Sequence, residues 1–412
     1  MNPSTNTLEN CWPAFRLSTS KHLTPMNSLL RKLFGMNWLL IAIAVGLSIF
    51  GVMAIYSATY MREEVYLTEM WRRQIVWLAI GIVVFFVAAL VDYRAWLNHV
   101  SFPLIMYLGG LGFLALTHFI GRTTYGARSW LEIGPISFQP AQLAVISTLL
   151  LISWLLANTE NWVGLWPTIG RILSCGAIIA PPWILILIQP DLGECLVWIP
   201  AVLALLYVGR VPKRYLLVMI IVAIAVVPVV ANFGLKPYQR ERLTTFLNPD
   251  YDPQGAGWTI NQSLIAIGSG GFYGKGFTAP NTQVQLGFLP STIVHTDFIF
   301  AAIGEQLGFV GTITLVAAFG ALLLTGLLIA ASATDDLGRL AAVGIITLIF
   351  THVYMNIGMT ISITPITGVP LPMISYGGSF LVLVLFALGV LESIWIHRKT
   401  RGNSQVLRPG TA

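Results

Sequence analysis

Residues 298–331 read FIFAAIGEQLGFVGTITLVAAFGALLLTGLLIAA, a run in which Glu305 is the single ionisable side chain. About 20 consecutive apolar residues cross the hydrocarbon core of a bilayer, so this run is a membrane span. Its length suits one tilted helix, or two segments broken at Gly308–Gly311. The residues before it, FLPSTIVHTD (288–297), place Asp297 at the edge of the run and leave Glu305 about two turns inside. A carboxylate beside lipid is costly, which makes such a position a functional-site candidate.

The rest of the chain is built in the same way. Of 412 residues, 56% are hydrophobic and only 10% charged, against roughly 25% charged in a soluble domain. The fold class expected is an all-α integral membrane protein. Apolar runs begin near Trp38, Ile75, Ser101, Ala141, Ile172, Leu192, Tyr215, Phe298, Leu340 and Gly377, giving about ten transmembrane helices. The first run is too long for a cleavable signal peptide and is followed directly by more spans. A polar, Ser/Thr/Asn-rich extension, 1–35, read as disordered, precedes the membrane domain, 36–397, and a short tail, 398–412, follows it. The net charge of +6 reads as topology signal and lipid-headgroup contact, with no call for nucleic acid. Cys11, Cys175 and Cys195 lack metal or redox spacing, and the last two read as packing residues.

With ten spans both termini share a side. Arg31, Lys32, Arg210, Lys213, Arg214, His397, Arg398, Lys399 and Arg401 all fall on that side, which makes it cytoplasmic. Arg62, Arg72 and Arg73 oppose this, offset by Glu63, Glu64 and Glu69. The opposite, outer face carries a long connection, 235–296. A structureless loop of that length is uncommon, and the helix-like pattern at Asn261–Gly268 is too short to span, so a re-entrant or interfacial helix is expected there. Glycines 268, 270, 271, 274 and 276 then serve either a close backbone approach to a ligand or simple turns.

The outer loops also collect Arg122, Arg128, Lys236, Arg240, Arg242 and Lys275 beside Glu132, Asp191, Asp250, Asp252 and Asp297. Guanidinium forks pair with phosphate oxygens, and carboxylates hold a divalent cation or take a proton, so the set suits an anionic lipid-linked substrate. Asp191, in ILIQPDLGEC (186–195), stands where Pro190 forces a tight turn; it reads as a helix cap and as a residue orienting loop cations. For Asp297 the readings are a cap of the following helix, or a general base whose pKa partial desolvation lifts towards neutrality.

Four motifs together resemble one family. QPDLG (189–193), GAGWTINQSLIAIGSGGFYGKG (255–276), FLP with HTDFIFAAIGEQLGF (288–309), and NIGM with TGVPLPMISYGGS (356–379) are similar to the SEDS family (shape, elongation, division and sporulation), and to its rod-shape branch more than its division branch. The resemblance covers about 38–399. It implies a ten-span peptidoglycan glycosyltransferase of the bacterial cytoplasmic membrane, polymerising lipid II on the outer face during elongation. It further implies Asp297 as the essential acid, a class B penicillin-binding protein as partner, and a divalent cation, Mg²⁺ or Mn²⁺, that Asp297 itself could ligate. The substrate-binding candidates are Asp191, Gln262, Ser269, Lys275, His295, Thr296, Glu305 and Ser375 on the matching motifs, with Arg128, Trp130 and Arg242 from the outer-face loops.

The chain departs from the family pattern at several positions. It has Gln142 and Val145 where a Glu–Lys pair is usual, Ser291 and Gln306 where Glu is usual, and Glu194 where a small hydroxyl residue is usual. The first two read as a coupled loss of an intramembrane ion pair, and Glu194 as a restored charge. Two competing readings are a transporter that flips lipid II and a non-catalytic scaffold for the crosslinking partner.

Overall fold

The computed structural model describes residues 25–60, 69–124, 127–134, 136–162, 164–229, 237–248, 251–252 and 255–398. Residues 1–24 with Cys11, the charges Arg62, Glu63 and Glu64, Lys236, Asp250, and the tail from Lys399 lie outside these. Two units are distinguished, 1–35 and 36–412. In the first, α1 (Pro25–Phe34) is an amphipathic helix with Arg31 and Lys32 in its last turn, where cations favour the helix dipole. This corrects the reading of 1–35 as wholly disordered.

Among the described residues of the second unit, eight helices are long and apolar enough to cross a bilayer. These are α2 (Trp38–Thr59), α3 (Met70–Leu90), α5 (Ser101–Ile120), α6 (Pro140–Asn158), α7 (Leu165–Ile188), α12 (Ile299–Ser332), α13 (Asp336–Thr360) and α14 (Gly378–His397). The two remaining expected spans are α8 (Leu192–Val208) and α9 (Lys213–Val229), of 17 residues each. At 1.5 Å per residue each reaches about 26 Å, slightly less than the hydrocarbon thickness. A short α4 (Tyr93–Leu97) links α3 to α5, and α10 (Pro237–Leu247) and α11 (Ala256–Ser269) occupy the long loop. α11 is the non-spanning helix anticipated at 261–268.

The residues between α5 and α6 form a feature the apolar pattern did not foretell. Strands β1 (Arg122–Thr124), β2 (Ala127–Ile133) and β3 (Ile136–Phe138) make an antiparallel sheet in that order, with Leu131 opposite Phe138. β1 and β3, of three residues each, leave no period-2 signature to read, and the seven residues of β2, ARSWLEI, do not alternate strictly.

α6, α13 and α14 are largely buried, whereas α3, α5 and α7 turn most of their surface outward. Close helix contact rests on small residues. Gly389 of α14 lies against the Phe85 backbone of α3, and Gly81 of α3 against Leu385 of α14. Caps fix the ends: Asn37 accepts from the Leu40 N–H at 3.1 Å, and Asp335 from the Gly338 N–H at 2.7 Å. Buried Arg171 donates to the carbonyls of Leu156 and Gly209, satisfying groups that helix C-termini leave open.

α12 is broken at Gly308 (φ 65°, ψ −161°), a conformation open essentially to glycine. The loop 270–276 is spliced into the break. The N–H groups of Lys275 and Gly276 donate to the carbonyls of Glu305 and Gln306, and those of Phe309 and Val310 donate to Gly271 and Phe272. Helical bonds lost at the kink are thereby replaced across the loop. A Cβ at Gly270 or Gly274 would lie 2.1 or 2.2 Å from the carbonyl oxygen of Gly304 or Gln306. The close approach that these two glycines allow is to the α12 backbone.

Candidate active site

The site forms where the start of α12, the start of α8 and the loop 367–376 meet. Asp191 caps α8, its Oδ1 accepting from the Glu194 N–H at 3.3 Å, while its Oδ2 accepts from the Ser129 hydroxyl of β2 at 3.1 Å. Gly193 packs so tightly on Thr367 that a Cβ would lie 2.2 Å from the Thr367 carbonyl oxygen. The next residue, Gly368 (φ 71°), faces Asp297: its notional Cβ falls 3.5 Å from Asp297 Oδ2. Gly193, two residues after Asp191, and the Asp297 carboxylate thus both adjoin the Thr367–Gly368 segment.

The backbone around Asp297 is clamped from α13 and the 371–376 segment. The Asn356 amide donates to the Asp297 carbonyl at 3.0 Å and to the Val369 carbonyl at 2.8 Å. The Ser375 hydroxyl donates to the Thr296 carbonyl and accepts from the Leu371 N–H, and the Tyr376 N–H donates to the His295 carbonyl. His295 is buried, with Nδ1 on the Ser291 carbonyl and its ring edge-on to Tyr376. The N-cap position of α12 is Phe298, and no side chain caps the helix. The capping alternative for Asp297 is therefore not realised, and its carboxylate is left for chemistry.

Electrostatics sharpen this. Burial pushes the Asp297 carboxyl up to about 6; the Arg242 charge and a hydrogen bond from Thr296 pull against it, and Asp191 adds to the rise. Burial likewise raises Asp191, opposed by the Glu194 N–H, Ser129 and Arg242. Arg242, on α10, is thus the cation whose field reaches both acids.

Other candidates divide. Arg128 on β2 is exposed, its guanidinium on the His118 carbonyl and its N–H on the Gln189 carbonyl just before Asp191; Trp130 is half-buried on the same strand. Gln262 is buried on α11, whose next residue, Ser263, donates to the Thr360 carbonyl. Ser269, Lys275 and Glu305 form a second cluster. Lys275 Nζ pairs with Glu305 at 2.6 Å, the Gln283 N–H donates to both Glu305 oxygens at 2.8 Å, and the Ser269 hydroxyl reaches it at 3.3 Å. Glu305 is fully buried. In this structure Lys275 and Glu305 are each other's counter-charge and staple the 270–283 loop. Ser375 is buried, with donor and acceptor engaged by backbone, and acts as a clamp. Asn356 and Gly368 were missed as site residues although NIGM and TGVPLP were noted, since neither side chain type advertises chemistry.

Among the described residues no group of three or more His, Cys, Asp or Glu side chains converges. A dedicated metal cage is therefore lacking there, but Mg²⁺ is commonly held by one or two carboxylates together with substrate phosphates, and the hard oxygens of Asp297 and Asp191 fit that role. A separate cavity of about 590 Å³ lies around Arg94, Asn98, Glu160, Asp335 and Arg339, at the N-terminal end of α13 and so a full helix length from Asp297. Its charges are already paired: Arg94 with Asp335 at 2.6 Å and Arg339 with Asp336 within the lining, and Glu160 with Arg210, outside the lining, at 3.5 Å.

A family profile described as "Cell cycle protein", spanning FtsW, RodA and SpoVE, matches residues 37–400. The chain is 35% identical over 365 residues to the peptidoglycan glycosyltransferase MrdB of Escherichia coli (strain K12), covering 89% of this chain and 95% of the relative. It is 32% identical to stage V sporulation protein E of Bacillus subtilis (strain 168), covering 86% and 96%. Its fold matches a chain from a peptidoglycan synthase complex that coordinates polymerization and crosslinking, with a TM-score of 0.73 at 29% identity, over 88% of this chain and 98% of that one. It also matches the rod shape determining protein RodA of Thermus thermophilus, with a TM-score of 0.64 at 26% identity over the same shares.

Proposed function

The chain belongs to the FtsW, RodA and SpoVE family of cell cycle proteins, and from that membership we propose that it is a multi-pass membrane peptidoglycan glycosyltransferase, polymerising lipid II during cell elongation with Asp297 as general base. The observation that carries the assignment of the base is the setting of Asp297: a carboxyl lifted to about 6, held in place by its own backbone, with no capping duty.

The acceptor is a sugar hydroxyl of one lipid-linked chain. Asp297 takes the hydroxyl proton as the oxygen attacks the anomeric carbon of the donor. A carbon–oxygen bond forms, the bond from that carbon to the pyrophosphate oxygen breaks, and the electron pair leaves with undecaprenyl pyrophosphate. The α-linked donor becomes a β-linked glycan, so one in-line displacement with inversion suffices, by analogy with inverting glycoside chemistry. Arg242 offsets the charge that develops on the pyrophosphate, and Arg128 at the rim offers a second guanidinium. A divalent cation, held by Asp297 or Asp191 together with the phosphates, would neutralise the same leaving group. The reaction takes place on the outer face of the bacterial cytoplasmic membrane, with both termini inside, so that the isoprenoid tails stay in hydrocarbon while the sugars reach the mouth of the bundle. A class B penicillin-binding protein receives the strand for crosslinking.

Purified chain given purified lipid II, with and without a class B partner, tests the proposal. Glycan strands from at least one of the two mixtures are expected. Transfer of labelled lipid II across vesicles with no polymer from either mixture would favour the transporter reading instead.

A further inference from the structure

Glu194 is one of the most buried ionisable groups in the molecule, 1% exposed, and the mechanism above does not use it. Its carboxylate Oε1 accepts from the Gln142 amide at 2.5 Å and lies 3.5 Å from that of Gln139, both in the opening of α6, while Oε2 has no protein partner among the described residues. Gln142 is equally buried, at 1%. A buried carboxyl held through one oxygen by side-chain amides, with no cation beside them in that set, is an expensive way to join two helices, so what that join positions is informative.

The join fixes the first turn of α8. That turn holds Asp191, whose cap bond runs to the Glu194 N–H, and Gly193, which presses on the Thr367 carbonyl. Thr367 leads into Gly368, the wall of the Asp297 carboxylate, and into Val369, whose carbonyl shares the Asn356 amide with that of Asp297. A rigid path of direct contacts therefore runs from Gln142 through Glu194, Gly193 and Thr367 to Asp297.

We propose that Glu194 is a positioning residue: its bond to Gln142 locks α8 onto α6 and so sets the place of the Asp297 carboxylate relative to the acceptor hydroxyl. The inference rests on the glycosyltransferase reading. Displacing a catalytic group by about 1 Å costs about 10²-fold in rate, so a broken lock lowers kcat and leaves KM for lipid II nearly unchanged.

The test is an exchange cycle in the full-length protein, read as kcat and KM on purified lipid II, with melting temperature and partner capture measured alongside. Glu194→Gln keeps an acceptor oxygen for Gln142 and is mild. Gln142→Glu sets two carboxylates against each other and lowers kcat by about 10²-fold. Combining the two restores the carboxylate–amide bond in the opposite sense and recovers most of kcat. A double variant that stays as slow as Gln142→Glu alone overturns the inference, as does a Gln142→Glu protein with unchanged kcat. So does a loss that merely follows the fraction of folded protein. Wild type in the same assay separates the two levels: if it makes no glycan, the function falls and this inference with it, whereas active wild type with no rescue removes the inference alone.

Discussion

The Asp297 carboxyl sits between opposing influences, burial raising it to about 6 and the Arg242 charge holding it down. A base works only when deprotonated, so polymerisation should be full above that value and fall as pH drops through about 6. Arg242→Gln removes a charge that favours the ionised form, so the acid limb should move to higher pH while kcat on the plateau also drops. A pH–rate profile of the two proteins measures both; an unmoved limb would detach Arg242 from the base. At this scale the sequence was legible in part. His295, Thr296 and Asp297 stood out because three polar residues at a hydrocarbon edge are costly. Glu305 stood out for the same reason and Lys275 as an outer-loop cation, but in the fold the two form an ion pair, which a sequence read residue by residue does not display. Gln142 and Glu194 lie 52 positions apart, and the restored charge anticipated at Glu194 gained its partner only once α6 and α8 were in contact.

The most informative element is α12 with the loop spliced into its break. Gly308→Ala would force a Cβ to within 2.3 Å of the Gly274 nitrogen and strain a backbone that suits glycine, together costing about 3 kcal/mol or more. Lower folded yield and a lower melting temperature in detergent are expected. Lys275→Met should cost about 3 kcal/mol, because it leaves the Glu305 carboxylate buried without its counter-charge, whereas Lys275→Met with Glu305→Leu should be milder than the single change. A thermal-shift series decides this, and a double variant less stable than the single would mean that the ion pair is not the staple. The kink was legible as a choice between one helix and two, because Gly308 and Gly311 interrupt the run. The splice was not, since its bonds are backbone to backbone and depend on which loop arrives at the break. The sheet at 122–138 was hidden for another reason: β1 and β3 have three residues each, and β2, ARSWLEI, breaks the alternation.

For the whole molecule, membrane insertion follows from composition, and the described residues include eight helices long and apolar enough to span, with two shorter ones. Orientation rests on the Lys and Arg bias of the loops. Asn281 is exposed in the loop that follows α11, so Asn281→Cys should react with an impermeant thiol reagent added to intact cells, and labelling only after lysis would invert the topology. The central claim is that this bundle brings a lipid-borne hydroxyl to one carboxylate. Asp297→Asn keeps the size of the side chain and removes the proton acceptor. Since general-base catalysis contributes typically 10²–10⁴-fold, the most direct measurement is the rate of glycan formation from purified lipid II by wild type and Asp297→Asn at equal folded concentration, above pH 6. A fall of about 10²-fold or more, with melting temperature and partner capture intact, is the predicted result; a variant that builds glycan at close to the wild-type rate would contradict the account.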